Sequence, residues 1–158
     1  MTEQDKNFMR EAIAMAKKGM ESNSGGPFGA VIVKDGQIIG KGHNRVLATN
    51  DPTAHAEVVA IRDACQNTGH FQLDDCILYT SCEPCPMCLG AIYWARPSKI
   101  YYACTKNDAA DIGFDDDFIY KELDVVHQAR KIPALPLLRE EALPLFKGWV
   151  EKEDKTLY

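Results

Sequence analysis

No stretch of this sequence approaches the roughly 20 consecutive apolar residues that a membrane-spanning helix needs, so no membrane partner is expected. The N-terminus, Met1-Thr2-Glu3-Gln4-Asp5, has neither the basic nor the apolar region of a secretory leader, and the expected compartment is the cytoplasm. Basic charge is scarce as well: 18 Lys and Arg against 23 Asp and Glu leave a formal net charge of −5. Binding to a phosphate backbone rests on clustered Lys and Arg. The balance therefore speaks against a nucleic-acid partner, although it leaves the distribution of charge open. Repeats, low-complexity stretches and linkers are missing too, and the 158 residues read as one domain, 1–158, long enough to bury a core.

What is present in unusual arrangement is cysteine. There are six. With no secretory leader and three of them bunched as Cys82, Cys85 and Cys88, metal binding or redox chemistry is favoured over disulfides. Cys65, Cys76 and Cys104 lie in apolar periodic stretches and read as buried small hydrophobes.

Periodicity and punctuation give an order of elements. Thr2 caps a helix to about Met20, with Phe8, Met9, Ala12, Ile13 and Ala16 on one face. Phe28 to Lys34 and Gln37 to about Asn44 read as strands joined by a turn at Asp35-Gly36. Asn50-Asp51-Pro52-Thr53 opens a helix from about Ala54 to Asn67, closed by Gly69. Cys76 to Ser81 is a third strand, Pro84 starts a helix that stops before Pro97, and Lys99 to Ala103 is a fourth strand. Further on, Asp115 to Leu123 looks helical, Ile132 to Leu138 extended, and Ala142 to about Asp154 an amphipathic helix. Helices alternating with strands in this order predict an α/β fold: a three-layer α-β-α sandwich around a mixed, mostly five-stranded sheet.

The chemistry concentrates in two short runs, His55-Ala56-Glu57 and Pro84-Cys85-Pro86-Met87-Cys88, each at a predicted helix start. One imidazole and two thiolates fill three positions of a tetrahedral zinc and leave the fourth for water, the layout of a catalytic site. Cys85 and Cys88 are three apart and point the same way on a helix. His55 and Glu57 are two apart, so both reach one metal only where the helix begins between them and its N-terminal end faces the site. Two helix N-termini at one ion favour thiolates and bound hydroxide. Glu57, if not itself a ligand, is placed to take the water proton. The pairing of His-x-Glu with Pro-Cys-x-x-Cys matches the general signature of zinc deaminases. Cys82 leaves an alternative open. Three thiolates plus His55 would close the sphere and give a structural zinc in a noncatalytic interaction module.

On these residues, and on Gly26-Pro27-Phe28-Gly29-Ala30, Asn50 through Glu57, Ser81 through Arg96 and Gly113 through Tyr120, the chain resembles the cytidine-deaminase-like superfamily. Within it, nearly the whole chain looks like the small bacterial guanine deaminases. The resemblance implies hydrolysis of guanine to xanthine and ammonia in purine metabolism, with one zinc per subunit on His55, Cys85 and Cys88 and proton transfer by Glu57. It also implies that Asn44 is a base-binding amide, Phe28 a stacking aromatic and Asp116 a second acid near the amine. A homodimer that exchanges its C-terminal segment, about 142–158, with Tyr158 covering the partner's site, is implied as well. Plainer readings stand beside these: Phe28 as core, Asn44 as a turn former, Asp115-Asp116-Asp117 as a solvated helix start, and Trp94 beside Tyr93 as packing or interface. The other enzymatic readings are a tRNA adenosine deaminase, which shares the Asp-Pro-Thr-Ala-His-Ala-Glu run, and a guanosine deaminase. A C-terminus that is mixed and acidic (Val150 to Lys155) disfavours the tRNA enzyme.

Overall fold

The computed structural model describes residues 1–157. Tyr158 lies outside the described residues. The chain divides into two compact units, residues 1–116 and Asp117 onward.

The first unit begins with α1 (Glu3–Glu21). Thr2 accepts from the Asp5 backbone N–H and Asp5 returns a bond to the Thr2 N–H, a reciprocal cap that fixes the helix start. There follow β1 (Gly29–Lys34), β2 (Gln37–His43), a single turn α2 (Val46–Thr49) and α3 (Ala56–Thr68). The unit then runs through β3 (Ile77–Cys82), α4 (Pro86–Ala95), β4 (Lys99–Cys104) and α5 (Lys106–Asp111).

Strands lie in the order β2-β1-β3-β4, with β1 antiparallel to both neighbours and β3 parallel to β4. Successive β1 side chains face opposite ways, so its uninterrupted apolar run serves two cores. Ala30 and Ile32 join Leu78, Ile92 and the alanines of α3 on one face. Val31 and Val33 join Ala12 of α1 and Tyr79 on the other. Helices therefore cover both faces of a mixed sheet, as the sequence predicts. Among the described residues, however, the sheet has four strands rather than five.

In the second unit, α6 (Asp117–Leu123), a 3₁₀ turn (His127–Ala129) and α7 (Arg139–Glu151) account for the regular structure. Ile132 to Leu138 is not a strand. Pro133 and Pro136 each remove a backbone donor, which leaves little to build a ladder. The last helix begins three residues before the expected Ala142 and carries Pro144 inside it.

Two packing expectations need correction. Ile13 is largely exposed, because Ala12, Ala16 and Gly19 form the face of α1 that meets the sheet. Cys104 is exposed at the end of the edge strand, whereas Cys76 is buried and Cys65 half-buried. Tyr93 and Trp94, read as packing or interface, are exposed on α4, which sets aside core packing and leaves the interface reading untested.

Candidate metal centre

Both halves of the constellation sit at helix N-caps. His55 is the N-cap of α3, in extended conformation at φ −70° and ψ 157°, and Glu57 is the second residue of the helix proper. The change of backbone direction between them aims two side chains, two residues apart, at one place. Cys85 is the N-cap of α4, with Pro86 supplying the preset φ of a first helical residue. An N-cap side chain folds back over the third residue of its helix. Here Cys85 Sγ accepts from the Cys88 backbone N–H at 3.5 Å, which draws the two sulfurs together.

The result is a compact donor triangle. His55 Nδ1 lies 3.6 Å from Cys85 Sγ and 3.5 Å from Cys88 Sγ, and all three atoms fall within 4.8 Å of one another. A tetrahedral zinc with ordinary Zn–S and Zn–N bonds requires an S···N edge of about 3.6 Å. Donor identity and spacing both fit the ion, and one coordination position is left over.

The three side chains shift one another's proton affinity. The Cys88 thiol donates to Cys85, His55 adds a second bond and the Cys88 N–H a third; together they hold the Cys85 thiol down at about 4 against the opposing effect of burial. The same bond and burial push Cys88 up, and its bond to Cys85 pushes His55 up.

Cys82 stands apart. Its Sγ donates to the Thr105 carbonyl at 3.4 Å, and burial raises its thiol to about 11. It does not belong to the donor cluster found among the described residues. The donor cluster is therefore made of three side chains, His55, Cys85 and Cys88.

Glu57 is only 6% exposed, and its Oε1 accepts from Thr80 Oγ1 at 3.2 Å. Burial raises its carboxyl above the usual range, while a hydrogen bond with Cys88 works the other way. The carboxyl thus sits at the rim of the donor triangle, where a proton can be held. Thr80 was not singled out by sequence reasoning. The available signal was its place on β3 one strand-period before Cys82, on the same face of the sheet.

The remaining candidates are held in different ways. Asn44 is 5% exposed; its Oδ1 accepts from the Val46 N–H at 3.1 Å and its backbone N–H donates to the Phe28 carbonyl at 3.0 Å. The turn-former reading is thereby realised in its oxygen, while its amide NH₂ has no hydrogen-bond partner among the described residues. Gly25 is what admits this amide, since a Cβ there would overlap Oδ1. Phe28 packs on the core and meets Phe114 edge to face, ring centroids 4.9 Å apart at 89°. Burial, and next the charge of Cys85, raise the Asp116 carboxyl, so that side chain is within electrostatic reach of the metal ligands. Glu83, also missed, accepts from the Lys106 N–H at 3.1 Å and ties the start of α5 to the loop that carries Cys85.

Among the described residues, no helix is long and apolar enough to cross a membrane. Residues 2–104 match the family described as the cytidine and deoxycytidylate deaminase zinc-binding region, and the chain belongs to that family. Within it, the chain is similar to guanine deaminase of Bacillus subtilis strain 168, at 57% identity over 151 residues, 96% of this chain and 97% of that protein. An X-ray structure of guanine deaminase from Bacillus subtilis superposes with a TM-score of 0.94 at 56% identity, over 97% of this chain and 98% of that one. A tRNA-specific adenosine deaminase of Aquifex aeolicus is 43% identical over 96 residues, 61% of this chain and 63% of that protein.

Proposed function

We propose that this chain is a guanine deaminase, which hydrolyses the 2-amino group of guanine to give xanthine and ammonia. The observation that carries the reading is the open His55–Cys85–Cys88 triangle with a buried, raised Glu57 at its rim. Similarity to guanine deaminase runs on past Asp116, at 96% of the chain, whereas similarity to the tRNA enzyme covers 61% of it.

His55, Cys85 and Cys88 would hold one zinc per chain. Zinc, when bound there, supplies Lewis acidity that brings the pKa of water from 15.7 toward roughly 7. Glu57 takes the proton of the attacking water and delivers it to the ring nitrogen beside the reacting carbon. It then moves the remaining proton of the added hydroxyl to the amine, so that the C–N bond breaks, ammonia leaves and the oxygen stays on the ring as a carbonyl. Thr80 Oγ1, bonded to one carboxylate oxygen, fixes the Glu57 rotamer and leaves the other oxygen to work. Phe28 gives the flat purine a stacking face, and the Asn44 NH₂ donates to an acceptor on its edge. Asp116 accepts from the amine. Each side chain answers a feature of a small aminated base, and the setting is purine metabolism in the cytoplasm.

The C-terminal segment, Tyr158 included, is exchanged between the subunits of a homodimer in this reading. The support within the chain is α7 itself, where Leu145, Phe146, Trp149 and Val150 are all exposed. Truncation of Thr156 to Tyr158 should cut guanine turnover, and mixing with Glu57→Gln under subunit exchange should restore part of it. No rescue on mixing would contradict the exchange.

The substrate is tested by ammonia release from guanine, guanosine, cytosine and adenosine in parallel. Guanine should be turned over fastest. Deamination of a tRNA anticodon stem-loop with none of free guanine would overturn the reading.

A further inference from the structure

The Phe114 ring belongs to neither of the two buried core clusters and is 45% exposed, yet it is closely held. It meets Phe28 edge to face at 4.9 Å. Gly26 lies under the junction: a Cβ there would stand 2.7 Å from Phe114 Cζ and 2.9 Å from Phe28 Cε2. Only a residue without a side chain allows both rings to occupy these positions. A ring serving no core, set into a notch kept clear by glycine and pressed against the stacking aromatic, is placed for the site rather than for stability.

Its position in the chain adds a second consequence. The segment that carries it starts from α5, whose first N–H is bonded to Glu83 in the Cys85 loop. The Phe114 backbone N–H donates to Ala109 at 2.9 Å and returns the chain across the end of that helix. Asp116 follows two residues later. The segment is thus fixed at one end to the metal-ligand loop and at the other to Phe28, and the carboxylate hangs just beyond the second point.

We propose that Phe114 is a positioning residue, whose ring fixes Phe28 and, through the two-residue span to Asp116, holds that carboxylate at the site. The inference rests on the guanine deaminase reading and deepens it: base stacking and amine contact are set by one aromatic junction.

The test is a double-mutant cycle in full-length, zinc-loaded protein: Phe114→Ala, Asp116→Asn and both together, assayed for kcat and KM with guanine. Zinc content and thermal midpoint should stay near the parent values, since the ring supports no core. An edge-to-face pair corresponds to about a two- to tenfold effect, and Phe114→Ala should raise KM by that factor. Asp116→Asn should lower kcat with little change in KM. Phe114→Ala should lower kcat as well, and adding Asp116→Asn to it should cost much less than in the parent. Gly26→Ala, which drives a methyl at Cζ, should reproduce the KM rise while leaving Phe114 itself in place. Additive losses around the cycle, or parental kcat and KM in Phe114→Ala, would overturn the inference while leaving the functional reading intact. A parent enzyme that releases no ammonia from guanine would overturn that reading, and the inference with it.

Discussion

The two units of the chain are built on different principles. Up to Asp116, buried side chains form two cores on opposite faces of one sheet, and β1 contributes to both. From Asp117 onward no element has a buried residue, although α7 carries Leu145, Phe146, Trp149 and Val150. The first unit is stabilised by its own interior; the second has helices but no interior of its own. Every candidate metal and proton-transfer residue belongs to the unit with a core. A metal triangle needs ligands held within a few tenths of an ångström, and only a packed scaffold holds a side chain that closely.

The sharpest break in this comparison comes from the metal ligands. Cys85→Ala should lose zinc and essentially all activity, while Cys82→Ala, with its thiol directed at Thr105, should keep both, as read by metal analysis and turnover. Equal metal loss in the two would mean that Cys82 is a ligand and the site is closed. Glu57→Gln should retain zinc and fold but lose about 10²–10⁴-fold in kcat, the range for a positioned general acid–base. Near-parental turnover would remove Glu57 from proton transfer.

Stability separates the two units next. Leu78→Ala, at a fully buried position on β3, should cost about 2–5 kcal/mol in denaturant unfolding. Under the exchanged-dimer proposal, which puts its partner surface on a second copy, Trp149→Ala in α7 should act differently, with a thermal shift that shrinks as the protein is diluted and the parent itself dissociates. A concentration-independent change within about 0.5 kcal/mol would leave α7 without that partner.

The smallest effect concerns the anchoring of α1. Tyr79 Oη donates to Asp5 Oδ1 at 2.7 Å, and bonds from the Thr2 N–H first, then from Tyr79, hold the Asp5 carboxyl at about 2. A carboxyl depressed on folding stabilises above its unfolded value near 3.8, and that contribution fades as pH falls toward about 2. Asp5→Asn should therefore be less stable than the parent at pH 7, with the gap closing between about pH 4 and 2. A gap of constant size across that range would detach the effect from the Asp5 charge.

The same division explains what could be read in advance. In the first unit local signals and packing agree. Thr2 and Gly69 punctuate helices where expected and β1 falls where the sequence reads as a strand, while α4 starts at Pro86, two residues after the expected Pro84, because Cys85 takes the N-cap. The ligand triangle was legible because N-cap geometry follows from short sequence runs. What was not legible depended on distant partners: Thr80 under Glu57, Glu83 on Lys106, and Phe114 over Gly26. The expected fifth strand and the unexpectedly early start of α7 both fall in the second unit. There, with no core to enforce a periodicity, an apolar run containing Pro133 and Pro136 does not distinguish a strand from an irregular segment.

X-ray absorption at the zinc edge of the metal-loaded protein tests the open site most directly. Two sulfurs at about 2.3 Å and two lighter donors at about 2.0–2.1 Å are the predicted shell, from Cys85, Cys88, His55 and an exchangeable oxygen. A shell of three sulfurs and one nitrogen would place Cys82 on the metal, leave no position for water, and contradict the account.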